Sequence, residues 1–160
     1  MLIEMAIRGL MMDPITNLPI VILRDLDGQK VLPIWVGAVE ANAVALQIEN
    51  VAPPRPLTHD LIRNLLQEFG AVLERVVIHD LKDSTFYAYL ELKRGNDYSR
   101  IDVRPSDGLA LALRTKAPIY VHPRVIERAS SSEISTEDAD QERLQQWLES
   151  LDPDDLGYKM

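Results

Sequence analysis

Three short stretches of the chain carry side chains that could do chemistry. "GAVEAN" holds Glu40, "PRPLTHDL" holds Arg55, His59 and Asp60, and "IDVRPSDG" holds Asp102, Arg104, Ser106 and Asp107. An unperturbed imidazole titrates near neutrality, so His59 can act as general base or acid. Carboxylates such as Glu40, Asp60, Asp102 and Asp107 offer the hard oxygen ligands that Mg²⁺ or Mn²⁺ takes. Arg55 and Arg104 have planar donor forks suited to phosphate. Pro105 suits the first position of a helix, with Ser106 and Asp107 in its first turn. Backbone donors there, beside the Arg104 fork, could hold a phosphate.

A plainer account of each residue exists. Strand alternation puts Tyr98, Arg100, Asp102 and Arg104 on one face and Ile101 and Val103 on the other. Asp102 could then simply pair with Arg104 or Arg100, while Asp107 caps a helix. Glu40 could be a solvated or ion-paired helix residue. "THD" reads first as a helix start, with Thr58 capping, Asp60 meeting the dipole and His59 pointing outward. His79 and His122 lie in strand-like settings and read as packed or surface groups, and Asp80 and Asp83 flank a turn.

The elements that position these groups are legible from periodicity. "LIEMAIRGLMM", "LPIVILRD" and "KVLPIWVG" read as three strands, the last two joined across "DLDGQ". Ala38 to Asn50 suits a helix with Ala38, Ala41, Ala45 and Ile48 on its buried stripe. "VAPPRP" stops it. "THDLIRNLLQEFG" suits a second helix, with Leu61, Leu65 and Phe69 as the buried stripe and Gly70 as the stop. "VLERVVIHDL" and "TFYAYLELKR" form a hairpin, with Phe86, Ala88, Leu90 and Leu92 facing one way and Thr85, Tyr87, Tyr89 and Glu91 the other. "YSRIDVR" adds a strand, "PSDGLALALR" a helix, "APIYVH" a short strand and "PRVIERAS" one or two helical turns.

Residues 1–129 thus form one body, and 130–160 a polar linker and an acidic tail. The tail's "EDADQERLQQWLESL" is amphipathic, with Leu144, Trp147, Leu148 and Leu151 on one side. That segment either docks on the body or engages a partner, and docking is expected because an exposed Trp/Leu stripe is costly in water. The formal charge of −8 sits mostly in the tail: residues 1–129 hold 15 Lys/Arg and 16 Asp/Glu, residues 130–160 hold 2 and 9. The body is therefore near neutral and no strong electrostatic trap for nucleic acid. With no cysteine there is neither a disulfide framework nor a thiolate metal site. No apolar run approaches the roughly 20 residues of a membrane span, and no signal peptide opens the chain, so a cytoplasmic location is expected.

Four motifs, "LPIWVGAVEANAVAL", "PRPLTHDLIRNLL", "RVVIHDLKDSTFYAYLEL" and "IDVRPSDGLALALRTKAPIYV", occur in this order over roughly residues 1–130. Together they resemble the bifunctional nuclease domain family, and the tail is similar to the short extension of bacterial members. Gly108 stands where that family usually has alanine, which would loosen the first turn of its helix slightly. The resemblance implies an α+β fold with a mixed, mostly antiparallel sheet, a homodimer, and nuclease activity on DNA and RNA. The fold class expected is that α+β arrangement with helices packed on the sheet, plus a C-terminal amphipathic helix.

Hydrolysing a phosphodiester requires an activated water, charge stabilisation at phosphorus and a stabilised leaving oxygen. The candidate catalytic set is Glu40, His59, Asp60, Asp102 and Asp107, with Arg55, Arg104 and Ser106 binding substrate and Mg²⁺ or Mn²⁺ assisting. Tyr87, Tyr89, Tyr98 and Arg100 can share one sheet face, which suits stacked bases or, preferably, a protein interface. The competing reading is a non-enzymatic interaction module whose Asp/Arg network is structural and lies at a dimer contact. A third option is a phosphohydrolase acting on small nucleotides through a deeper, narrower site.

Overall fold

The computed structural model describes residues 1–130; residues 131–160, with the expected tail helix, lie outside the described residues. The strands are β1 (Ile3–Met12), β2 (Pro19–Asp25), β3 (Val31–Trp35), β4 (Ala71–Lys82), β5 (Thr85–Arg94), β6 (Asp97–Val103) and β7 (Ile119–Val121). The helices are α1 (Ala38–Ile48), α2 (Thr58–Glu68), α3 (Pro105–Thr115) and α4 (Pro123–Ser130). This is the α+β class that the resemblance implied. No helix among the described residues is long and apolar enough to cross a membrane.

One sheet of order β3-β2-β1-β7-β4-β5-β6 joins two antiparallel meanders, β1–β3 and β4–β6. The joint is β7, three residues long, antiparallel to β1 and parallel to β4. Ile119 and Val121 of β7 point into the core, where both are buried. Pro33 sits in β3, at the sheet edge, where its missing N–H costs no ladder bond to a further strand. Asp83 and Ser84 form the two-residue β4–β5 turn, both with positive φ, as hairpin turns of this twist require.

On β5 the alternation holds: Ala88 and Leu90 enter the core, with Phe86 and Leu92 packed against it. Across the β5–β6 ladder, Val103 pairs with Ala88 and Ile101 with Leu90, so the helices cover that side of the sheet. Helix α3 lies against β4 and β5 and touches both α1 and α2. Its run Leu109–Ala112 is buried, which is why a strongly apolar sequence follows the first turn Pro105–Gly108.

Two stripes differ from the periodic reading. In α1, Ala41, Val44 and Ala45 are buried and Ile48 packs beside them, whereas Ala38 is exposed. In α2 the correction is larger. Ile62 and Leu66 pack against the core, while Leu61, Leu65 and Phe69 remain 53%, 47% and 62% exposed. The helix contains the doublets Leu61-Ile62 and Leu65-Leu66, so both of its faces are apolar and periodicity alone does not choose between them.

Gly108 also has a different role from a loosened first turn. A Cβ at this position would meet Val76 Cγ1 at 2.7 Å, closer than real side chains approach. The missing methyl lets α3 settle directly on β4, and a γ-methyl of Val76 fills the space. Gly108→Ala is therefore expected to lower stability by about 1–3 kcal/mol through overpacking, despite the better helix propensity of alanine. In urea denaturation, adding Val76→Ala should offset part of that loss. A Gly108→Ala protein as stable as the parent, with no coupling to position 76, would show the contact to be slack.

Candidate functional site

Helices α1, α2 and α3 share one feature at their starts: a carboxylate at the third helical residue, namely Glu40, Asp60 and Asp107. An acid there complements the free N–H groups and the positive end of the helix dipole. In α2 the N-cap is Leu57 rather than Thr58, and Asp60 Oδ2 accepts the Leu57 N–H at 3.0 Å. Thr58 is the first helical residue, because Asp60 already supplies the local acceptor. Gly37, the α1 N-cap, carries no side chain, and a Cβ there would collide with the Glu40 carboxylate. Arg104 is the N-cap of α3, held extended by the proline that follows.

From these positions a continuous chain of polar contacts forms. Arg104 Nε and Nη2 donate to Asp107 Oδ2 and Oδ1 at 2.9 and 3.1 Å, a bidentate pair. Arg104 Nη1 donates to Glu40 Oε1 at 2.9 Å, which links α3 to α1. His59 Nε2 lies 3.0 Å from Asp107 Oδ1, which links α3 to α2. Burial raises the Asp107 pKa, but hydrogen bonds from Arg104 and His59 and their charges outweigh it and hold the carboxyl below its ordinary value. An ionised carboxylate only accepts, so the hydrogen of this contact sits on His59 Nε2. The same contacts, Asp107 foremost and Glu40 after it, raise the Arg104 pKa. His59 does not point outward: its side chain is 12% exposed, whereas Arg104 is 64% exposed at the surface end of the chain.

A second cation lies deeper. Arg114, with a side chain 2% exposed, donates from Nε to Asp60 Oδ1 at 2.8 Å. Its Nη1 reaches Ala110 O at 2.9 Å and its Nη2 reaches Ala43 O at 3.0 Å. One buried guanidinium thus ties together all three helices that carry the chain. Burial opposes ionisation of Asp60, yet the Leu57 N–H and Arg114 bonds leave its pKa lowered. Sequence reasoning missed Arg114; the available signal was one cation inside the otherwise apolar run "GLALALRT".

The structure brings some expected residues together and separates others. Glu40, Arg104 and Ser106 line a cleft of about 440 Å³, with Trp35, Gly37 and Thr85 on its other walls. Its sides come from the end of β3 and the β4–β5 turn, drawn together from the two halves of the sheet. Asp107 and His59 stand behind Arg104 and do not line this cleft. Arg55 and Asp60 line a different cavity of about 350 Å³, bounded by the proline segment after α1. Asp102 is set apart: it pairs across the ladder with Tyr89, on the sheet face away from the helices. Among the described residues Asp102 joins no ion pair, so neither Arg104 nor Arg100 is its partner. Arg100 instead approaches Glu91 at 3.9 Å and lies over the Tyr89 ring at 4.6 Å.

That helix-free face carries the expected aromatic and basic groups. Lys93 lies over Tyr98 and Arg75 over Tyr120, each 5.5 Å from the ring centre. His79 packs on Tyr89, His122 Nδ1 accepts the Arg124 N–H, and Asp80 pairs with Arg128 and Lys82. A group that sequence reasoning passed over is Asp13, 2% exposed, which accepts the Trp35 indole N–H at 2.6 Å and both the N–H and hydroxyl of Thr16. It thereby fixes one wall of the cleft.

Among the described residues no three His, Asp or Glu side chains stand together as a metal-binding group. Glu40 and Asp107 bracket the Arg104 guanidinium, so a cation already stands between these two carboxylates. A divalent ion fits this arrangement poorly, and no step below is routed through one. What the set offers is an imidazole oriented by a fixed carboxylate, and a solvent-facing guanidinium on the wall of a cleft lined mainly by apolar side chains.

Comparison with known proteins places these residues in a wider group. A family model described as the bifunctional nuclease domain matches residues 21–133. An uncharacterized protein of Mycobacterium tuberculosis is 40% identical over 162 residues, covering 96% of this chain and 97% of that protein. Bifunctional nuclease 2 of Oryza sativa subsp. japonica is 31% identical over 108 residues, 65% of this chain but 33% of its own length. Bifunctional nuclease 1 of Arabidopsis thaliana is 28% identical over 130 residues, 74% of this chain and 39% of its own length.

The lowered carboxyls give a signed pH dependence. Asp13, Asp60 and Asp107 each fall below the ordinary 3.8, so their contribution is complete above that value and is lost as pH falls through the lower native values. Stability is expected to hold from neutrality to about pH 5 and to decline steeply on further acidification. Urea midpoints across this range check it, and Asp13→Asn should make the decline shallower. A profile flat down to pH 3 would contradict the assignment.

Proposed function

The chain belongs to the bifunctional nuclease domain family, and on that premise we propose that it hydrolyses phosphodiester bonds of DNA and RNA with little base specificity, in the cleft beside Arg104. The observation that carries the reading is the chain His59–Asp107–Arg104–Glu40, whose Arg104 and Glu40 line that cleft while Asp107 and His59 stand behind them. Family membership supports nuclease activity; the residue roles are our own.

In this reading Arg104 meets the phosphate. Its exposed guanidinium exchanges one carboxylate contact for phosphate oxygens and offsets the charge that develops at phosphorus. Ser106 adds a hydroxyl on the cleft wall. Asp107 holds His59 through Nε2, which leaves Nδ1 of the neutral ring to take a proton from a water on the His59 side of Arg104, behind the cleft wall. The oxygen of that water bonds to phosphorus as the ester P–O bond breaks. The leaving oxygen then recovers a proton from the imidazolium or from solvent. Glu40 keeps Arg104 aimed across the cleft. Asp60 acts through Arg114 as a positioning residue, Arg55 belongs to the separate cavity after α1, and Asp102 is left outside the reacting set. A homodimer in the cytoplasm is part of the proposal, and the assay below reads whether Mg²⁺ or Mn²⁺ changes the rate. The near-neutral body implies salt-sensitive binding.

A second reading has its own support. Nε, Nη1 and Nη2 of Arg104 are all engaged by carboxylates, as in a structural network of an interaction module. Labelled single-stranded DNA and RNA, incubated with and without Mg²⁺ or Mn²⁺, distinguish the two. His59→Ala and Arg104→Ala are each expected to reduce cleavage by about 10²-fold or more while the fold is retained by circular dichroism. Asp102→Ala should cleave as the parent does. Undiminished cleavage in the first two variants would remove the catalytic assignment, and no cleavage by the parent under any condition would favour the interaction module.

A further inference from the structure

The outer face of α2 is an apolar ridge that nothing among the described residues covers. Leu57, Leu61, Leu65 and Phe69 recur every four residues, so they stand one above another on the helix. Leu57 adds 41% exposure to the values given above. Charged and polar residues would be expected on the solvent face of a surface helix that already buries Ile62 and Leu66.

We propose that residues 144–151 of the same chain cover this ridge. Leu144, Trp147, Leu148 and Leu151 recur at three- and four-residue intervals, so they can present one apolar stripe. Dimensions agree: Leu61 to Phe69 spans about 12 Å along the helix, and a helical Leu144 to Leu151 would span about 10 Å. Reach also agrees. Helix α4 ends beside Asp80 and Leu81, at the far end of β4 from α2. The 13 residues from 131 to 143 can extend to roughly 43 Å, enough to run the roughly 40 Å of β4. Arg94, paired across the ladder with Ala71 just beyond Phe69, offers positive charge to the acidic residues that flank this segment.

Area decides between this occupant and a second copy. The ridge exposes on the order of 400 Å² of apolar surface. Two copies meeting through it would bury on the order of 800 Å², short of the roughly 1,200 Å² of a specific protein interface. A tethered segment needs far less contact, because the linker supplies a millimolar effective concentration. The inference stands apart from the reaction proposed above, since it concerns only how α2 is covered.

Trp147 reports on it directly. The chain has two tryptophans, Trp35 and Trp147, so the difference between parent and Trp147→Phe spectra isolates Trp147 emission without disturbing Trp35. We expect that difference spectrum to be blue-shifted and shielded from acrylamide, a neutral quencher. Leu65→Asp, an exposed position, should shift it to the red and raise its quenching severalfold, with far-ultraviolet circular dichroism and molar mass unchanged. Phe69→Ser provides the same test at a second position. The proposal is overturned if Trp147 in the parent is quenched as freely as tryptophan in an unfolded peptide, or if its shielding survives both substitutions. Shielding that disappears on dilution together with a halving of mass would assign the ridge to a second copy instead.

Discussion

The geometry of the site depends on one buried guanidinium. Arg114 carries its charge into a region where only 2% of its side chain meets solvent, and it spends its donors on α1, α2 and α3 at once. A buried charge is tolerable only when paired and hydrogen-bonded, so the helices can meet here in few other ways. Asp60 answers that charge, and Asp60 is fixed in turn by the Leu57 amide at the start of α2. His59 is the neighbour of Asp60, so its ring position follows from the same anchor.

The outer chain of contacts is built on the inner one. Once α1, α2 and α3 are locked, Glu40, His59 and Asp107 arrive close together because each occupies the first turn of its helix. Arg104 closes the arrangement from the surface. The two guanidinium groups differ in what they can do. Arg114 is enclosed and cannot leave its partners without exposing an unpaired charge to the core, whereas Arg104 is largely solvated and its contacts are individually weak. A cation that can exchange partners at low cost suits a ligand-binding role, and one that cannot suits a scaffold.

Much of this was legible in the residues. Seven strands and four helices follow from changes in apolar period, from Pro and Gly punctuation, and from turn residues such as "KDS". The pairing of His59 with Asp107 was not legible, because 48 positions separate them and no local signal joins them. Asp102 illustrates a different limit. Alternation correctly put it opposite in sense to Val103, but it does not say which face the helices cover, and that depends on long-range packing. In α2 the leucine doublets satisfied two helical faces equally, and the choice fell to the fit of Ile62 and Leu66 over the core. Gly108 looked like a weak point of its helix until Val76, 32 residues earlier, supplied the reason for it.

The three-residue strand β7 has a bearing on how the molecule comes into being. The amino-terminal meander is complete by Trp35, and the second by Val103, yet the piece that seams them begins only at Ile119. During synthesis both meanders therefore leave the ribosome with their inner edges uncovered, β1 on one and β4 on the other. Open edges invite pairing with other nascent chains, and contacts of such high sequence separation form slowly. The last short strand is thus the closing stitch of the sheet, and the interval before it emerges is when the newborn polypeptide is most exposed to misassembly.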